Sequence, residues 1–446
     1  MTAEVRTVRT PAEQAIVEHF ETALPALPGG ARVRQAREKA FAAFRKTGLP
    51  HRRVEEWKYT DLRALMKRAE APAPRPSADQ AARAAATPDL LPGVDRYRLT
   101  LVDGYFFPAL SDVDALEKAG VQFASLAGLL AADNEMSAHM LTHALLASDD
   151  TALVLNTAFA TDGVAIRIAP GAMLGKPIEI AHVSTGGASA ARHALDVGED
   201  ANLRLIETHR GAAGAAYQAN VAWGGMIGQG ATVSFAKVQM DAPDAIHLGT
   251  TMLGIGEGVA LNHLTLTAGA AVSRSQMFLS TGGDHTRLGL YGANMIGGRQ
   301  HADTTLLIDH ALPGANTRVL VKSAIDDEAQ GVFQGKIVVE PDAQKTDAKM
   351  MSKALLLSET AEFDAKPELE IFADDVQCGH GATSGRIDAE QLFYLMARAV
   401  PRAEAERLLI EAFLDDAIDA LGDEGLAPSL RGIVSDWLAK RGTRTP

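Results

Sequence analysis

One stretch of the chain brings reactive residue types together: Asp374-Asp-Val-Gln-Cys-Gly-His-Gly-Ala-Thr383. Cys378 and His380 are two positions apart, so in an extended strand both side chains leave the same face. Thiolate and imidazole suit iron, zinc or copper, and Asp374 and Asp375 could add oxygen ligands or orient the imidazole. Two ligands leave at least two coordination positions open, so a metal centre here must be completed at an interface. A structural cysteine beside a histidine in a turn is the other reading of the same pair. Cys378 is the only cysteine, which excludes an intrachain disulfide. One thiolate also cannot hold an iron–sulfur cluster alone, because the usual clusters take four protein ligands.

Other chemistry is absent from the sequence. There is no G-x-x-x-x-G-K-[ST], no H-E-x-x-H and no G-x-S-x-G. Gly254, Gly256 and Gly258 are too closely spaced for a dinucleotide fingerprint and lack a βαβ context. Of the thirteen histidines, His193, His209, His247, His263, His285, His301 and His310 fall in the middle of the chain, and each reads as a surface or internally satisfied residue. The net charge of −13 offers no basic stripe for phosphates, so nucleic acid and anionic membranes are not expected partners. The charge favours solubility or a basic partner face. No run of about 18 apolar residues occurs, and Met1-Thr-Ala-Glu-Val-Arg6 opens no signal-like stretch. A cytoplasmic location is expected.

The elements that must position Cys378 and His380 divide by periodicity. Residues 1–70 are helical in pattern: Pro11 suits a first helical position, Ile16, Val17, Phe20 and Leu24 recur at helical spacing, and a second helix runs from Val33 to Lys46 before Gly48 and Pro50. Residues 71–92 hold five prolines and many alanines, read as a linker. Glu135–Leu146 has the pattern of a helix ahead of the main β region. From about residue 95, short β-rich runs alternate with glycines, as in Val164–Ile168, Asn202–Ile206, Thr232–Phe235 and Arg318–Lys322.

A repeat lies within this region. Ile168-Ala-Pro-Gly-Ala-Met-Leu174 resembles the heptapeptides starting at Val197, Ile227 and Ile255, so the starts are 29, 30 and 28 residues apart. Each unit is an apolar residue, a tight turn and a new strand. That period indicates a repeat architecture, stacked coils of a β-helix, with a β-sandwich as the rival. The expected fold is mainly β: a right-handed parallel β-helix flanked by N-terminal and C-terminal helices, with regions 1–92, 93–385 and 386–446.

Helical period returns after Arg386. Asp388-Ala-Glu-Gln391 reads as a capping box, with Leu392, Leu395, Met396 and Ala399 on one face. Pro401 opens a second helix carrying Leu409, Phe413, Ala417, Ala420 and Leu421 inward, with Gly422 ending it. Leu430, Ile433, Val434, Trp437 and Leu438 form a third stripe. Leu392, Phe393, Tyr394 and Met396 span most of a helix circumference and cannot all face inward, so some of them are expected to meet a partner.

Several stretches, in order, resemble the signature of the SufB/SufD family of iron–sulfur cluster assembly scaffolds: Gly331–Val339, Ala343–Ala348, Ser352–Ser358, Pro367–Ile371, Asp374–Thr383 and Leu392–Leu395. Glu55-Glu-Trp-Lys-Tyr-Thr-Asp61 resembles the family's N-terminal motif. Cys378-Gly-His-Gly381 is similar to the SufD branch, and the lack of a second cysteine argues against the SufB branch. The resemblance implies the right-handed parallel β-helix. It implies a non-catalytic scaffold in a SufBCD complex with a paralogous SufB, and a SufC ATPase docked on the C-terminal helices. It further implies a nascent iron–sulfur cluster shared with SufB near His380 and Cys378, support of iron acquisition, and FADH2 in some complexes, with no cofactor held tightly by the chain alone. A homodimer in isolation is compatible with it. Two other classes stand beside this one: a polysaccharide-active β-helix enzyme, for which the chain has no clustered carboxylates, and a stand-alone metal-binding homodimer built on Cys378 and His380.

Overall fold

The computed structural model describes residues 9–142, 149–212 and 214–441. With 39% strand against 29% helix it is mainly β, a solenoid of about eight turns with helices at both ends of the chain. Successive strands alternate between a ten-stranded and a nine-stranded sheet, so each coil gives one strand to each. From Ile178–Ser184 and Gly187–Val197 to Glu362–Ile371 and Gln377–Gly385, neighbouring coils pair in parallel. That topology sets aside the sandwich. The repeat positions are direct neighbours on successive coils: Ile168 pairs with Val197, Val197 with Ile227, and Ile227 with Ile255. Three residues on, Gly171, Asp200, Gly230 and Gly258 all have φ between 54° and 68°. The corner needs a left-handed residue, which glycine adopts freely and aspartate tolerates.

Strand alternation sends one row of side chains into the solenoid and one outward. The inward row is the main core, including Ile178, Leu205, Trp223, Phe235, Leu261 and Val319. The outward row of the ten-stranded sheet, with Ile206, Val238, Leu264 and Met295, is covered by helices Arg402–Ala420 and Ala427–Arg441. The outer face of the other sheet is covered by Thr151–Phe159, on which helices Pro11–Ala23 and Ala31–Thr47 pack through Phe20, Phe41 and Phe44.

The Glu-Glu-Trp motif latches this N-terminal layer to the solenoid. Trp57 is buried and its ring lies 3.9 Å from the Arg274 guanidinium. Arg274 donates to the Glu56 carbonyl at 2.8 Å and pairs with buried Asp303, which also accepts from the Thr60 hydroxyl. Lys366 reaches Glu55 at 3.0 Å.

Three sequence expectations change. The stretch 71–92 is not a free linker: Ala78–Ala85 is a helix, with Ser77 and Gln80 forming a capping box, and Ala81 packs against Val102 and Val183. Its five prolines flank that helix, so alanine propensity and the cap decide within it. The stripe on Arg402–Ala420 is rotated: Ile410, Leu414, Ala417 and Ile418 are buried, whereas Leu409 and Phe413 are half-buried. Helix Ala389–Met396 ends before Ala399, and only Leu392 of its expected face is buried. The helix expected over Glu135–Leu146 is present as Glu135–Thr142, and its last residues lie outside the described ones. Met1–Arg6 also lies outside them.

Candidate functional site

Cys378 and His380 sit on the last strand, Gln377–Gly385, opposite Ala348 and Met350 of the preceding coil. Ala348 and Met350 belong to the core, so Cys378 and His380 continue the inward row. No further coil covers them among the described residues. Cys378 is therefore half-buried against the core, and His380 is exposed. Partial burial raises the Cys378 thiol above its ordinary value, and Asp347 adds to the shift. A metal here would have to displace that proton. Asp375, in the turn before the strand, is held by Lys345 and by its own N–H to Gln344 Oε1 at 2.9 Å. Asp374 and Asp375 are both exposed in this turn.

The two last strands are edges of different character. Each is hydrogen-bonded on one side only. Glu362–Ile371 carries Pro367 and alternating Glu362, Asp364, Lys366, Glu368 and Glu370, the devices that blunt an edge. Gln377–Gly385 has neither proline nor charge. Its Gln377 N–H bonds back to Thr346, so by strand alternation the N–H groups of Cys378, His380 and Ala382 point away from the solenoid. The opposite end is closed: Tyr105–Phe106 and Gln122–Ser125 add antiparallel strands there.

A second constellation lies inside the solenoid. His182 and His209 are register partners on successive coils, with rings stacked 4.4 Å apart at 15°. Glu207, two residues before His209, is fully buried. Its Oε1 is 2.7 Å from His209 Nε2 and 3.9 Å from His182 Nε2. Its Oε2 has no hydrogen-bond partner among the described residues. From the facing sheet, His193 Nδ1 accepts from the Val164 N–H at 3.1 Å, and its Nε2 lies 3.2 Å from His182 Nε2. Lys237 is the register partner of Glu207 on the next coil, and His247 Nδ1 is 3.0 Å from Asp241. Burial holds His182 well below the usual imidazole range, with His209 and His193 adding to it, and takes His193 and His247 down to about 4. Burial alone would raise Glu207, but Lys237 and His209 outweigh it and keep the carboxylate ionised.

The surface reading of the middle histidines needs correction here: His193 and His247 on the nine-stranded sheet and His209 and His263 on the ten-stranded sheet are buried in the solenoid interior with His182. His182 and Glu207 were not singled out by sequence. Two signals point to them. Glu207-Thr-His209 has the same two-residue spacing as Cys378 and His380, and His182 precedes His209 by 27 residues, close to one coil.

Comparison with known proteins gives the family. The model of the SUF system FeS cluster assembly SufBD core domain matches residues 180–413, just over half of the chain, and that of the SufBD protein N-terminal region matches residues 15–180. The chain belongs to the SufBD family. It is 31% identical to the iron–sulfur cluster assembly protein SufD of Escherichia coli over 413 residues, 90% of each chain. It is also 31% identical to a SufBD family iron–sulfur cluster assembly protein of Synechocystis over 402 residues, 87% of each. SufD of Bacillus subtilis matches at 39% over 137 residues, 31% of each chain. Within this SufBD chain, the stretches that resemble the family signature fall on the last four strands and the helix after them. On that helix, Phe393, Tyr394 and Met396 are 73%, 56% and 41% exposed, whereas Leu392 is 9% exposed and turned inward. Leu392 therefore leaves the expected partner-facing set. No helix among the described residues is long and apolar enough to cross a membrane.

Proposed function

We propose that this SufD-like chain is a non-catalytic scaffold of iron–sulfur cluster assembly that is completed end-on by a paralogous β-helix subunit of the SufB type. The observation that carries the reading is the uncovered last coil, where an unprotected edge strand presents His380 and half-buried Cys378 on its open inner face. A partner strand added to Gln377–Gly385 would bond the outward N–H groups and supply the ligands that one cysteine and one histidine cannot. The nascent cluster then sits at that junction, with His380 as this chain's principal ligand and Cys378 as a second. Iron delivered for assembly would arrive at the same junction. FADH2, where the complex carries it, belongs between subunits and not to this chain alone.

The ATPase subunit, SufC, docks on Phe393, Tyr394 and Met396 in this reading. Only Arg386, Ile387 and Asp388 separate that helix from the edge strand. Motion of the docked ATPase is therefore passed first to the strand bearing His380, and it shifts the junction only if the nucleotide states differ in their contacts with the helix. In this reading the assembly works in the cytoplasm, and the isolated chain can use the same edge for a homodimer.

The test is co-expression with the paralogue and the ATPase. His380→Ala should leave co-purification intact and lower the cluster's visible absorbance per complex. Ala382→Pro should remove an outward N–H, keep the chain folded and abolish co-purification with the paralogue. Unchanged cluster yield in the first variant refutes the ligand assignment, and unchanged pairing in the second refutes the edge assignment.

A further inference from the structure

We propose that His182, Glu207 and His209 form a binding site for one divalent first-row transition-metal ion inside the solenoid, separate from the open coil. The strands of Glu207 and His380 belong to one sheet and are six coil steps apart. At about 4.8 Å per step this is roughly 29 Å, so the two places cannot share an ion.

The donor set is two imidazoles and one carboxylate, all buried, whose ligating atoms lie within 4.8 Å of one another. Two ligands each about 2.0–2.1 Å from a tetrahedral ion stand about 3.3 Å apart. The two contacts of Glu207 Oε1, 2.7 and 3.9 Å, bracket that separation, and the stacked His182 and His209 rings must turn for both lone pairs to reach one ion. Histidine and carboxylate together select zinc, iron(II) or cobalt(II) over magnesium or calcium, which take oxygen ligands. Three protein ligands leave a position for water.

Glu207 supplies the independent sign of a missing ligand. A buried carboxylate oxygen without a partner is costly, and Oε2 is in that state. His193 engages His182 in the metal-free chain. With Nδ1 accepting from the Val164 N–H, its Nε2 carries the proton and donates to His182 Nε2. His182 Nε2 has one lone pair, and in the metal-free chain it faces His193, so loading turns the ring from His193 to the ion. Because the cluster lies under closed coils, loading accompanies folding.

The experiment uses the full chain, unfolded in guanidinium with EDTA and refolded with cobalt(II), zinc(II) or magnesium(II), followed by gel filtration and elemental analysis. The expected result is about one cobalt(II) or zinc(II) retained per chain, a visible d–d band for cobalt(II), and no magnesium. Glu207→Gln, close to isosteric, should weaken retention by more than the roughly 10–100-fold seen for loss of an outer partner. Lys237→Met should be destabilised without metal, because Glu207 loses its counter-charge, and should be restored by zinc(II). The double variant Cys378→Ser, His380→Ala should bind as the parent does. No retained metal in the parent chain, equal retention in Glu207→Gln, or loss of the ion in the Cys378/His380 double variant would each overturn the proposal.

Discussion

Replacing Arg274 by Met tests whether the Glu-Glu-Trp latch holds the N-terminal layer onto the solenoid by charge or merely by packing. Arg274 and Asp303 are 1% and 0% exposed as side chains. Methionine keeps the aliphatic stem but removes the charge over Trp57 and the donor to the Glu56 carbonyl. Asp303 is then left among Thr60, Thr305 and Gln334 without a counter-charge. Breaking one side of a buried ion pair costs about 3–5 kcal/mol. A chain of 446 residues unfolds with an entropy of about 0.9 kcal/mol per kelvin, from about 2.1 cal/mol/K per residue. A loss of about 4 kcal/mol therefore lowers the calorimetric midpoint by about 4 °C.

Asp303→Asn alone should cost about 3 kcal/mol, because it strands Arg274 in the same way. The two changes together leave no buried charge, so the double variant should fall by about 4 °C, well short of the additive value of about 7 °C. Limited proteolysis between Leu24 and Gly30 should accelerate in the single variants and less in the double. An additive double variant, or a shift under 1 °C for Arg274→Met, refutes the argument that the latch depends on charge pairing.

Two further outcomes follow from the same structure. His310 is fully buried between Thr281 and Thr317, and burial takes its pKa down to about 4 from 6.5. The unfolded chain thus binds the extra proton between pH 6.5 and 4, so this contribution is complete above pH 6.5 and is lost as pH falls through that window. By pH 5 the loss is about 2 kcal/mol at about 1.4 kcal/mol per unit; His310→Gln should flatten the decline of the thermal midpoint from pH 7 to 5 by about 2 °C, and an unchanged slope counts against a neutral buried imidazole. Phe393→Asp changes a side chain that is 73% exposed, so stability should move by no more than about 0.5 kcal/mol while co-purification with the ATPase is lost; retained co-purification removes this face from the proposed docking site.

Much of the architecture was legible because the corner of each coil is a local event. Gly171, Asp200, Gly230 and Gly258 carry the left-handed turn within a heptapeptide, and the same heptapeptide contains the apolar residue that stacks on the next coil. The rotation of the stripe on Arg402–Ala420 was not legible, because it depends on which outward residues of the sheet, such as Leu264 and Met295, the helix meets. Cys378 and His380 were legible as a pair because two-residue spacing fixes a common face in any strand. Their exposure was not, since it comes from the absence of a covering coil and not from their own neighbours in sequence. The interior cluster is not legible for the same reason in reverse: His182, His193 and Glu207 lie on three different strands, and only the stacking of coils and the facing of the two sheets bring them together. In a solenoid the inward row is one continuous lane, and a residue's environment along it is set by how many coils lie beyond it. His209 and His380 both lie on the inward face of one sheet, yet one is sealed among imidazoles and a carboxylate while the other stands at an open end. The sealed position suits an ion acquired during folding, and the open position suits a group that must be handed on.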